Sequence, residues 1–185
     1  YIIEAENNFR GLAGKTVGGS YTKGQQVTIL PSGIETSIKK IEVNQREVNV
    51  AEANASVVLH LNDQRTVVRG SSIVPTSHLP QTKKELKATL CWMDHTAYVP
   101  GQKVILQQNS FRTPAVIKEV IDKVDIHSLE QLKSGGTMTL NDICKVQIET
   151  EHPVSFDSYT ENRHSGAFIL IHSTTNNTIA AGTLH

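Results

Sequence analysis

Cysteine is scarce in this sequence. Cys91 and Cys144 are the only two among 185 residues, and neither belongs to a C-x-x-C pair. Two isolated cysteines make no disulfide framework, which points to a reducing compartment and so to the cytoplasm. Both read as buried free thiols, the common state of an unpaired cysteine. An excess of one charge is also missing: Lys and Arg number 18, Asp and Glu 18. That balance excludes a general grip on nucleic acid, which needs a basic surface, and leaves room only for a local patch. No apolar run approaches the roughly 18 residues of a membrane span, so no membrane partner is expected. An initiator Met is missing too. The chain opens on Tyr1-Ile2-Ile3-Glu4, and the expectation is a piece of a longer polypeptide.

Catalytic and metal motifs are absent as well. Residues 11–16, "GLAGKT", end like a phosphate-binding loop, G-x-x-x-x-G-K-[ST]. That loop needs its first glycine at position 9, where Phe9 stands, and a helix after it. Gly18-Gly19 would break such a helix, and "QQVTIL" beyond it has the composition of a strand. Lys15 is therefore read as part of a strand entering a hairpin. The eight histidines, at 60, 78, 95, 127, 152, 164, 172 and 185, form no H-x-x-x-H or H-E-x-x-H pair. The nearest grouping, His164 with His172, spans an apolar strand, and both read as strand-end residues. No G-x-S-x-G occurs. Asp94, His95 and Tyr98 follow a strand, but neighbours on a strand face opposite ways, and "VPGQ" is a turn. Asp157, Glu161, Arg163 and His164 are the densest polar group and also read as a loop between strands. The sequons at Asn54 and Asn176 read as chance matches, since no secretory signal is seen. No catalytic, cofactor-binding or metal-ligating residue is assigned.

What is there is strand. Period-2 alternation and β-branched runs mark strands at 25–30, 36–43, 55–62 and 71–74, with "PSG" at 31–33 as a turn. "PTSHLPQTKK" at 75–84 reads as a linker. Strands resume at 85–93, 102–108, 113–126, 142–150, 166–173 and 177–184. The one helical candidate is 128–136, capped by Ser128 and ended by Gly135. The pattern predicts an all-β chain, with two small barrels or sandwiches in tandem.

The order of these pieces resembles the second and third domains of elongation-factor-type GTPases. Gly14-Lys15-Thr16-Val17-Gly18-Gly19 and Gly24-Gln25-Gln26-Val27 resemble the opening strands of the second domain. "FRG" at 9–11 and "LPSG" at 30–33 resemble the GTP-binding subunits of bacterial sulfate adenylyltransferases. So do Asn141, Asp142, Ile143, Pro153, Asp157, Tyr159, Asn162, Arg163, Gly166 and Phe168 to Ile171, along with "TLCWM" at 89–93 and "VDI" at 124–126. His172 and Ser71 depart from the family, which usually has Asp at both. The resemblance implies a domain II-like barrel over 1–77 and a domain III-like barrel over 82–185. It implies that the GTPase domain, with its GTP and Mg, is absent from this chain. The expected partners are that GTPase domain and the catalytic small subunit of the enzyme. The fragment alone is expected not to catalyse; it would relay the GTP state and dock the catalytic subunit. The alternatives are tRNA-binding barrels of a translation-factor GTPase, or a free-standing β-barrel interaction module.

Overall fold

A computed structural model of the chain describes residues 2–5, 9–63, 67–124, 131–133 and 136–185. The chain divides into two compact units, Tyr1–Leu79 and Pro80–His185. Among the described residues, nine strands form the first: β1 (Ile2–Ala5), β2 (Phe9–Lys15), β3 (Tyr21–Thr22), β4 (Gln26–Leu30), β5 (Ile34–Val43), β6 (Arg46–Val48), β7 (Val50–Ala51), β8 (Ser56–Leu61) and β9 (Ser72–Pro75). Seven, again among the described residues, form the second: β10 (Gln81–Trp92), β11 (Lys103–Gln108), β12 (Phe111–Val124), β13 (Gln131–Lys133), β14 (Ile143–Phe156), β15 (Ala167–His172) and β16 (Thr178–Leu184).

In the first unit the sheet order is β1-β2-β8-β5-β4-β9, with β6 added on β5 and β3 paired to β7. Its core is Tyr21, Val27, Ile38, Ile41, Ala51, Val57 and Leu59. β5 shows how one strand serves two neighbours. It pairs with β4 through residues 34–37 and with β8 from Ile38 onward. A bulge between Ile38 and Lys40 moves the inward positions from Thr36 and Ile38 to Ile41. One extra residue flips the face that a period-2 strand presents, so the bulge keeps Ile41 in the core. "GLAGKT" lies mostly in β2, where Leu12 pairs with Leu59 and Gly14 with Val57. This stretch is extended and laddered, so it makes no phosphate loop.

The turn from β5 to β6 has two residues, Asn44 at φ 50° and Gln45 at φ 64°. Two positive φ values suit the twist of a hairpin, and Gly is the usual second residue. Gln45→Gly is expected to stabilise the chain by about 0.5–1 kcal/mol, because it removes a left-handed side-chain penalty. A thermal midpoint that fails to rise would contradict this.

The second unit closes on itself. The order β11-β15-β16-β10-β14-β12 returns to β11, and β13 adds to the outside of this ring along β12. Inward residues alternate cleanly in β10 (Leu86, Ala88, Leu90, Trp92) and in β14 (Cys144, Val146, Ile148). In β12 a bulge between Ile117 and Glu119 shifts the inward set from Ala115 and Ile117 to Val120. Trp92, Tyr98 and Met138 fill one end. The Trp92 indole meets the Tyr98 ring edge-on at 5.7 Å and donates to the Thr96 carbonyl at 2.9 Å.

Two expectations need correction. Gln81–Lys84, read as linker, begin β10, whose residues 81–83 pair with 154–156. Of the expected helix 128–136, residues 131–133 are strand β13, with Leu132 opposite Lys123. Residues 125–130 and 134–135 lie outside the described residues, and with them Ser128, Gly135 and the end of "VDI".

Candidate functional site

The densest polar motif, residues 157–166, is a buttress. The Asp157 carboxylate accepts from the Ser165 hydroxyl at 2.8 Å and the Asn162 amide at 3.0 Å. The Glu161 carboxylate accepts from the Ser158 hydroxyl at 2.7 Å and the Ser158 N–H at 3.2 Å. The Asn162 amide oxygen accepts the His164 N–H at 3.1 Å. The buried Gln108 amide donates to the carbonyls of Ser155 and Ser165. These bonds fold the loop back on β16, where the Tyr159 N–H donates to the Leu184 carbonyl at 3.0 Å. Gly166 permits the approach, since a Cβ there would lie 2.4 Å from Tyr159 Cα. Tyr159 is thereby fixed against the outer wall of the barrel, with the Arg163 guanidinium 6.0 Å from its ring centre.

Beside Tyr159 runs a groove of about 600 Å³. Its floor and walls are outward positions of the barrel: Cys91 on β10, Ile143 on β14, Ala167 and Ile169 on β15, and Ala181 on β16. Gln107 and Asn109 supply polar edges. Ala167, Ala181 and Gly182 put little volume above the strands, which leaves the depression. Gly182 has a further reason to be glycine, since a Cβ would lie 2.7 Å from the Phe168 ring and 2.8 Å from the Thr89 carbonyl. Among the described residues no Asp, Glu, Lys, Arg or His lines the groove. Its lining is mainly apolar, and its chemistry is that of an apolar contact surface.

The other sequence-level candidates do not converge. His164 and His172 flank β15 at opposite ends. Asp94 caps its own turn by accepting the Thr96 N–H at 2.9 Å, and His95 is exposed. The buried Tyr98 hydroxyl donates to the Ile117 carbonyl at 2.9 Å. Cys144 is fully buried, and burial first, then the Asp142 charge, pushes its thiol up to about 11. That thiol is the opposite of an activated nucleophile. Cys91, read as buried, is half-buried and faces the groove. Burial opposes the Asp142 charge, but Lys123 at 2.5 Å and the Thr139 N–H and hydroxyl outweigh it and hold that carboxyl below its usual range. No cluster of three or more His, Cys, Asp or Glu able to hold a metal occurs among the described residues. No helix among them is long and apolar enough to cross a membrane.

Sequence reasoning named no groove residue as a site. A signal was present in "AFILI", residues 167–171, which is apolar at both parities where a one-sided strand would alternate. Both faces of β15 are therefore apolar, one toward the core and one toward the groove.

A closed six-stranded barrel following a second β unit places this chain among the translation-factor-type β-barrel proteins. Solved structures agree on the fold. The sup35 structure complexed with GDP superposes with a TM-score of 0.89 at 17% identity, covering 100% of this chain and 45% of that one. Translation elongation factor SelB from Methanococcus maripaludis, in its apo form, gives 0.77 at 18% identity over 100% of this chain and 41% of its own. Residues 85–185 match the GTP-eEF1A C-terminal domain-like family, and the chain belongs to it. Over nearly its whole length it is also similar to sulfate adenylyltransferase proteins. It is 34% identical to the bifunctional enzyme CysN/CysC of Rhodopirellula baltica, over 95% of this chain and 27% of that protein. It is 32% identical to sulfate adenylyltransferase subunit 1 of Pseudoalteromonas atlantica, over 98% of this chain and 39% of that one. The chain thus spans well under half the length of these relatives.

Proposed function

We propose that the two β units are the non-catalytic barrels of the GTP-binding subunit of a cytoplasmic sulfate adenylyltransferase. The complex would join ATP and sulfate into adenosine 5′-phosphosulfate and pyrophosphate, coupled to GTP hydrolysis. GTP and Mg would be held by a GTPase domain outside these residues, and the sulfate chemistry by a separate catalytic subunit. The barrels would relay the GTP state and help dock that subunit. The observation that carries this is the 32% identity to a subunit 1 protein over 98% of the chain. The apolar groove beside Tyr159 supplies a contact face that fits a relay role, since coupling requires contacts that differ between nucleotide states. The likeness to sup35 and SelB, at 17–18% identity, supports the fold and not their translation roles.

The test uses the parent subunit with its catalytic partner. Ile169→Glu places a charge in the groove at a half-buried position, and far-ultraviolet dichroism checks that the variant folds. GTP-stimulated sulfate activation is expected to fall by roughly tenfold or more, the scale of losing one central apolar contact. Deleting residues 1–185 should abolish the stimulation. Full stimulation after that deletion would sink the proposal.

A further inference from the structure

His172, which stands where the resembling family usually has Asp, is not used by the docking face. It ends β15 and opens the turn into β16. Its N–H donates to the Asn177 carbonyl at 2.8 Å, and the Asn176 N–H donates back to the His172 carbonyl at 3.0 Å. Asn176 takes the left-handed conformation at φ 58°, which Asn tolerates better than most residues. Inside this turn the imidazole Nδ1 meets two backbone N–H groups, Thr174 at 3.2 Å and Thr175 at 3.3 Å.

A backbone N–H can only donate. Nδ1 must therefore present its lone pair, which fixes the neutral ring with its proton on Nε2. A second proton can enter only at Nδ1. There it removes the acceptor, sets N–H against two N–H groups, and adds positive charge beside them.

The charged groups near the turn come from the elements packed against it. β11 pairs Val104 with His172, and its nearest charged residue is Lys103. The segment after β10, bonded to β16 through the Met93 N–H and the Ile179 carbonyl, carries Asp94 and His95. The Asp94 carboxylate accepts the Thr96 N–H at 2.9 Å. Residues 173–177 contain no titratable side chain.

We propose that the β15–β16 turn is an acid-sensitive latch, closed while the His172 imidazole is neutral and released when the ring takes a proton. The closed turn needs the neutral ring as its acceptor, so charging the ring releases it.

The experiment is nuclear magnetic resonance on the nitrogen-labelled chain between pH 8 and pH 5. At pH 8 the ring nitrogens of His172 should report the Nε2–H tautomer. As the ring protonates, hydrogen-exchange protection of the Thr174 and Thr175 amides should drop roughly tenfold, the scale of losing two modest hydrogen bonds. His172→Asp is the control. Its carboxylate can accept the same two N–H groups, and it stays ionised across this interval. Protection in that variant should hold flat from pH 8 to pH 5. An Nδ1–H tautomer, amides that stay protected after the ring is charged, or a variant that loses protection like the parent would each overturn the latch.

Discussion

Gly166→Ala is expected to destabilise the barrel unit by about 3 kcal/mol, the upper end of ordinary overpacking. The added Cβ would sit 2.4 Å from Tyr159 Cα, 2.5 Å from Tyr159 N and 2.9 Å from the Ser158 carbonyl carbon. All three atoms are backbone, so no side chain can swing aside. The loop would have to lift off β16, and two bonds resist this: Tyr159 N–H to the Leu184 carbonyl at 3.0 Å, and Leu184 N–H to the Gly166 carbonyl at 2.8 Å. Because Tyr159 walls the groove, the same shift would deform the contact face. Urea unfolding of wild type and variant measures the loss directly. Equal midpoints with equal slopes would show that the loop moves freely and that the glycine is incidental.

Trp92→Ala is expected to cost about 3–5 kcal/mol, the range for emptying a large aromatic site in a core. Trp92 is 1% exposed and is the largest of the fully buried side chains. Its loss leaves a cavity at the end of the barrel and removes the edge-on partner of Tyr98. It also strips the Thr96 carbonyl of its indole donor. Trp92→Phe separates these effects, keeping most of the volume and losing the donor, so its cost should be clearly smaller. Calorimetry or far-ultraviolet dichroism must be the readout, since this is the only tryptophan and its fluorescence disappears with it. A cost below about 1 kcal/mol for Trp92→Ala would mean that the site collapses around the gap.

Most of the barrel was legible because alternation is a local property. β10 and β14 place every second residue inward over long stretches, and a period-2 pattern says so without knowledge of partners. The pattern becomes harder to read where a bulge changes parity, as after Ile38 and after Ile117, because bulges arise from pairing. The short strands β3, β6 and β7 escaped for a related reason. Two or three residues carry no period, and they are strands only through neighbours far away in sequence. The helix expected over 128–136 rested on one cap and one terminator. Gln131–Lys133 instead pair with the end of β12, so tertiary pairing overrode the local signal there. The groove was written in the doubly apolar "AFILI" run, but its other members come from separate strands, and only ring closure brings them side by side.

That closure also sets how the unit can come apart. Each of the six ring strands has a bonded neighbour on both sides. No strand is outermost, so none can peel away by surrendering a single ladder, and partial loosening has no natural place to begin along the ring. Among the described residues, the sheet of the first unit is ordered from β1 to β9. The barrel unit is built to keep its shape until it gives way all at once.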